Sequence, residues 1–275
     1  MTQTSNHDHD ARALESLLAF WSEAGVETCV EDQPIDRMVP IAPPQRLASP
    51  AVLRPSASVP APEALTPEIG EALEQAKAMA AAASDLAALA EAIAAFEGCP
   101  LKFQGARQAV FSRGDPQAPV MAIGEGPGGE EDQQGAPFVG RAGKLLDLML
   151  NAAGLHDRVF ITNTVFWRPP GNRTPTLMEQ AVCAPFLERA IELVRPKMLL
   201  LVGGASAKFM LKKDEGILSL RGRWFEWRSP SAELVLPAFP TLHPAFLLRQ
   251  PAAKKRAWSD LLTLAERLDR QARPD

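Results

Sequence analysis

Three things are scarce in this 275-residue chain: cysteine, histidine and long apolar runs. No apolar stretch approaches the ~18 residues that a membrane helix needs. The opening MTQTSNHDHDARALESLL is acidic and polar, which fits neither a secretory signal nor a transit peptide. Three cysteines, an odd count without a signal peptide, suit a reducing cytoplasm rather than a disulfide framework. Nor can three cysteines by themselves fill a four-cysteine metal site. With only four histidines, of which His7 and His9 sit in the polar N-terminal stretch and His156 in a polar turn, His243 is the one expected at the end of a strand.

Net charge is also low, −4 from 29 basic and 33 acidic residues, which at first argues against a polyanionic partner. The distribution reverses that reading. Met1–Gly98 carries 5 basic and 15 acidic residues, net −10, whereas Cys99–Asp275 carries 24 and 18, net +6. Such asymmetry between halves points to a nucleic-acid or membrane surface in one of them.

What is present divides at the same place. Residues 1–33 include an amphipathic helix over 11–25, with Leu14, Leu17, Leu18 and Trp21 at helical spacing. Residues 34–67 hold nine prolines and read as an extended linker. Residues 68–98 are Ala-rich and favour helix, an accessory element without evident chemistry. From 99 to 275 strands and helices alternate. PVMAIG (119–124), RVFITN (158–163) and KMLLLVGG (197–204) are buried strands, LVLPAFPTL (234–242) is a further extended run, and AGKLLDLMLNAAGL, a stretch from Thr174 or Thr176 to about Val194, and a last segment through AWSDLLTLAERL are helices. That pattern predicts an α/β domain with a mostly parallel sheet covered on both faces. Ligands in such sheets bind at the carboxyl ends of the strands.

Four segments fall there. GEGPGGEED (124–132) spells G-x-G-x-x-G through Gly124, Gly126 and Gly129, but a dinucleotide site is rejected. Glu125, Glu130, Glu131 and Asp132 would repel a pyrophosphate, and Pro127 removes a backbone donor. A turn presenting the Glu125 carboxylate suits water positioning or cation stabilisation. In GAPFVGRAG (135–143), Phe138 is a candidate stacking platform. In ITNTVFWRPPGNR (161–173), Asn163 can read a base edge with its amide, and the rigid loop with Arg168, Asn172 and Arg173 resembles a phosphate-contacting one. In PTLHPAFLLRQP (240–251), His243 precedes an apolar tip, Leu247–Leu248, beside Arg249, the kind of wedge used to unstack a duplex.

Taken together, GEGPG…ED, PFVGRAG, ITN…RPPGNR and HPAFLLR resemble family 4 of the uracil-DNA glycosylase superfamily over roughly Cys99–Leu268. The resemblance implies a three-layer α/β/α domain around a four-stranded parallel sheet. It implies hydrolysis of the N-glycosidic bond of a flipped uracil, initiating base-excision repair on single- or double-stranded uracil-containing DNA, by a monomer with no membrane partner. By the same resemblance Phe138 stacks on uracil, Asn163 bonds its Watson–Crick edge, Glu125 positions water or stabilises the sugar cation, and His243 donates toward O2. Gly124 and Gly126 shape the pocket, Leu247 and Leu248 fill the vacated stack, and Arg249 lies near phosphate. Two other readings stay open: a non-catalytic uracil- or DNA-binding module, and a glycosylase with a shifted base preference, for hypoxanthine or mismatched thymine. One departure stands out. Members of family 4 hold a [4Fe–4S] cluster on four cysteines, whereas here only Cys99 and Cys183 remain, with Lys102 and Trp167 at the other two positions. Two thiolates cannot hold a cubane, so the expectation is no metal and no cofactor, with Trp167 filling the former cavity.

Overall fold

The computed structural model describes residues 67–272, apart from Ala232. The helix expected over 11–25, the linker up to residue 66 and Cys29 lie outside the described residues.

Six strands form one sheet in the order β1-β3-β2-β4-β6-β5. The four central strands, β2 (Val120–Gly124), β3 (Val159–Asn163), β4 (Met198–Val202) and β6 (Val235–Thr241), are parallel. Two short antiparallel strands, β1 (Ser112–Gly114) and β5 (Phe225–Arg228), widen the four-stranded sheet expected from the resemblance. Every residue of β2, β3 and β4 is buried. Both faces of a parallel sheet are covered by crossover helices, so these strands read as continuous apolar runs rather than alternating ones.

The side chains still alternate between two cores. Met121 and Ile123 face one layer, formed by α1 (Pro67–Ala82), α2 (Leu86–Ala95), α5 (Leu177–Val194) and α6 (Gly204–Leu211). Val120 and Ala122 face the other, formed by α4 (Arg141–Ala152) and α9 (Lys254–Ala272). The three-layer architecture follows. Helix α5 is started by a capping box, in which the Thr176 hydroxyl accepts from the Glu179 N–H and the Glu179 carboxylate accepts from the Thr176 N–H. It stops where Arg195 turns left-handed ahead of Pro196.

Residues 67–98 are not a tethered accessory. Asp85 caps α2 through the Ala88 N–H and separates it from α1, so the Ala-rich stretch is two helices. Ala76, Ala80, Leu89, Ile93 and Phe96 are buried in the same core as α5 and the sheet. Residues 67–272 accordingly form part of one compact unit. Small alanines permit this close helix packing, which propensity alone does not reveal.

Candidate active site

The parallel register places Gly124 directly beside Asn163, and Val202 beside Thr241. The glycine turn, the Asn163 segment and the His243 segment therefore meet at one edge of the sheet, and Phe138 of the fourth segment joins them in one cavity wall. Between them lies a cavity of about 500 Å³. Glu125, Phe138, His243, Phe246 and Arg249 are among its lining residues, and Asn163 is buried next to it.

Asn163 is the polar focus. Its Oδ1 is buried and has no hydrogen-bond partner. A Cβ added at Gly124 would lie 2.4 Å from that oxygen and 2.5 Å from the Phe138 ring, so the absence of a side chain at 124 is what leaves room beside both. An unpaired buried acceptor costs ~1–3 kcal/mol, and such a group calls for a donor from a ligand.

Phe138 is held in a left-handed conformation, φ 54°, uncommon for a residue with a side chain. Its surroundings explain how this persists. The Glu131 carboxylate accepts from Val139 N–H at 3.0 Å, Gly140 N–H at 2.9 Å and Gly128 N–H at 3.1 Å, tying the Phe138 turn to the glycine turn. Arg113 donates to the carbonyls of Pro137 and Phe138 and pairs with Asp147 at 2.6 Å. A Cβ at Gly143 would overlap the Phe138 carbonyl. Strained backbone over-determined by its neighbours is characteristic of functional sites. Sequence reasoning grouped Glu131 with the repelling carboxylates of an acidic run; its spacing to three backbone donors appears only in the fold.

His243 stacks near Phe138, with ring centroids 5.6 Å apart. Burial, helped by the Arg249 charge and opposed by Glu131, pushes its pKa down to about 4. Its Nδ1 accepts from the Ala245 N–H at 3.2 Å, which leaves the proton of the neutral ring on Nε2. A Cβ at Gly203 would approach the His243 Cβ to 3.0 Å, so this glycine, at φ 98°, makes room for the ring. Behind it, the Thr241 hydroxyl donates to buried Asp260 at 2.8 Å, and Asp260 is paired with Arg221. On the other flank, the Thr164 hydroxyl donates to the Glu125 carbonyl at 2.6 Å and accepts from Gln180.

The residues expected at DNA divide. Arg168 donates to Asn172 at 2.7 Å, making the Pro169–Pro170 loop a closed unit, and Arg249 is exposed at the cavity rim. Arg173 reaches the cavity wall, but its guanidinium is engaged bidentately by Glu179, at 2.6 and 2.8 Å. The apolar tip needs correction. Residues Pro244–Arg249 form helix α8, so Leu247 and Leu248 point about 100° apart rather than together. Leu247 is fully buried against Leu242 and Ala257, and Leu248 is the exposed one.

The cluster implied by the resemblance does not fit the residues present. Cys99 and Cys183 are the thiols among the described residues, and their sulfurs touch at 3.9 Å. No group of three or more His, Cys, Asp or Glu suited to a metal ion occurs among the described residues. Trp167 is buried there and offers no ligand.

An α/β sheet whose carboxyl edge joins an open cavity, an aromatic face, an unpaired buried amide oxygen and a neutral imidazole has the parts of a base-recognising enzyme. A model of the uracil DNA glycosylase superfamily matches residues 111–262. Type-4 uracil-DNA glycosylases are similar over much of their length: that of Sulfurisphaera tokodaii is 38% identical over 182 residues, 64% of this chain and 81% of that protein. That of Saccharolobus solfataricus is 38% identical over 187 residues, 66% and 85%, and that of Pyrobaculum aerophilum 37% over 183 residues, 64% and 91%. The chain belongs to the uracil-DNA glycosylase superfamily.

Proposed function

We propose that the protein is a uracil-DNA glycosylase that hydrolyses the N-glycosidic bond of an extruded uracil in DNA, leaving an abasic site for base-excision repair. The observation that carries this reading is the buried, unpaired Oδ1 of Asn163 beside the Phe138 ring. Uracil presents an N3–H donor to that oxygen and an O4 acceptor to the amide NH2. Cytosine reverses both, offering a bare N3 and an amine, so it leaves two buried polar groups opposed. Extrusion costs a few kcal/mol, offset by stacking on Phe138 worth ~1–3 kcal/mol.

Bond cleavage leaves a cationic sugar and an anionic base. The Nε2–H of neutral His243 donates to O2 as negative charge grows there, and a neutral donor achieves this without holding a cation in the empty pocket. Glu125, which also lines the cavity, serves the sugar cation and the incoming water. In this reading Arg168, Asn172 and Arg249 contact the backbone, and Phe246 with Leu248 forms the apolar surface facing the duplex. On this reading the protein works as a monomer and in the cytoplasm. Among the described residues no helix is long and apolar enough to cross a membrane.

The test uses end-labelled single- and double-stranded oligonucleotides carrying one uracil, with alkaline cleavage at abasic sites. Product from uracil and none from cytosine is expected. Absence of product where a control glycosylase works would overturn the proposal.

A further inference from the structure

We propose that the four corners of the implied cluster centre are Phe96, Cys99, Trp167 and Cys183, and that the two aromatic side chains together replace the inorganic core. A Cys-x-x-Cys pair containing Cys99 has its second member three residues away, at Lys102 on one side or Phe96 on the other. Read forward from Cys99, the corner falls on Lys102. The structure turns Lys102 away: its Nζ donates to the carbonyls of Ala94, at 2.7 Å, and Phe96, at 3.1 Å. There the ammonium caps the negative end of α2, an ordinary task for a lysine at a helix C-terminus.

Phe96 points the other way. It is fully buried, with ring centroids 6.5 Å from Trp167 and 5.1 Å from Phe186. Trp167 also packs against Phe166 at 6.3 Å. Phe96, Cys99, Trp167 and Cys183 all belong to one apolar core. The sulfurs have closed to 3.9 Å, close to the edge of a single-metal thiolate tetrahedron with ~2.3 Å metal–sulfur bonds. No inorganic core lies between sulfurs that touch. Tilted and edge-on aromatic pairs fill space that a cluster would otherwise occupy, so loss of two ligands was matched by gain of two rings at the same corners.

This inference is independent of the glycosylase reading, and its test reads metal rather than activity. The full chain, expressed with excess iron and purified anaerobically, should contain no stoichiometric iron or acid-labile sulfide; finding both would overturn the proposal. The double variants Phe96→Cys/Trp167→Cys and Lys102→Cys/Trp167→Cys are then reconstituted with iron and sulfide. The first should gain about four irons per chain and a brown chromophore, and the second should not. The reverse result, or folded proteins by circular dichroism with no uptake in the first, would overturn the assignment. If the first double variant fails to fold, the single variants decide. Phe96→Cys places a third thiol beside Cys99 and Cys183 and should bind cadmium roughly tenfold or more tightly than wild type. Lys102→Cys should not, and equal affinities in the two would overturn the proposal.

Discussion

Asn163 and Trp167 lie four residues apart on one segment, yet their surroundings follow opposite rules. Around Asn163 a buried oxygen is left without a partner, a phenylalanine is held at positive φ and a histidine is kept neutral by burial. Around Trp167 the ring partners are aromatic, Phe96 at 6.5 Å and Phe166 at 6.3 Å, within a buried apolar core. The first region holds free energy in reserve for a ligand; the second spends all of its contacts on the fold. Mutations should therefore separate activity from stability according to which end of this short segment they touch.

The sharpest break is expected at the pocket. Asn163→Ala should lower the single-turnover rate on uracil by ~10²–10³-fold, the usual scale for losing one preorganised polar group. Its melting temperature should stay close to wild type, since relief of an unpaired acceptor offsets the small cavity. A large fall in melting temperature would show that Asn163 serves the fold. Trp167→Ala should do the converse, costing about 3–5 kcal/mol in chemical denaturation while the folded fraction keeps its rate. Asp260→Asn should fall between these, destabilising by ~3–5 kcal/mol through the abandoned Arg221 charge and also slowing turnover by loosening the strand end before His243.

Acid should sharpen the comparison further. An unfolded histidine takes its proton near pH 6.5, whereas folded His243 resists to about 4. The unfolded chain thus binds the extra proton between these values, so His243 makes stability fall as pH drops from about 6.5 to about 4 and adds no pH dependence above. The rate of the folded enzyme should show no inflection near 6.5 from this group; one appearing there and vanishing in His243→Gln would contradict a neutral donor. The smallest effect is expected from Leu248→Ala, a few-fold loss on duplex and less on single-stranded substrate, measured side by side.

Much of this was legible in the sequence. The continuous apolar runs of β2, β3 and β4 announced a parallel sheet, and the carboxyl-end rule selected Gly124, Asn163 and His243, which the fold brings together. Strands β1 and β5 were harder. Three and four residues long, at the sheet edges, they lack the apolar run that betrays a buried strand. Leu247 and Leu248 looked equivalent because adjacent letters carry no rotation angle; the helix turns them about 100° apart, one into the core and one to the surface. Glu131 was masked by acidic neighbours, and the role of residues 67–98 by alanine's double use as helix former and close-packing residue. Spacing alone could not decide between Phe96 and Lys102, since a three-residue separation runs in both directions from Cys99.

The clamp of Asp260 on Thr241 and Arg221 has a temporal meaning as well. During synthesis Gly124, Phe138, Asn163 and His243 leave the ribosome before Asp260, which sits on the last described helix. A nascent chain that has already made every base-facing residue still lacks the carboxylate that holds Thr241, two residues before the last of them. Catalytic competence would then arrive as a late event, when the α9 segment folds back onto the sheet, so that an incomplete chain would not release an active glycosylase onto DNA.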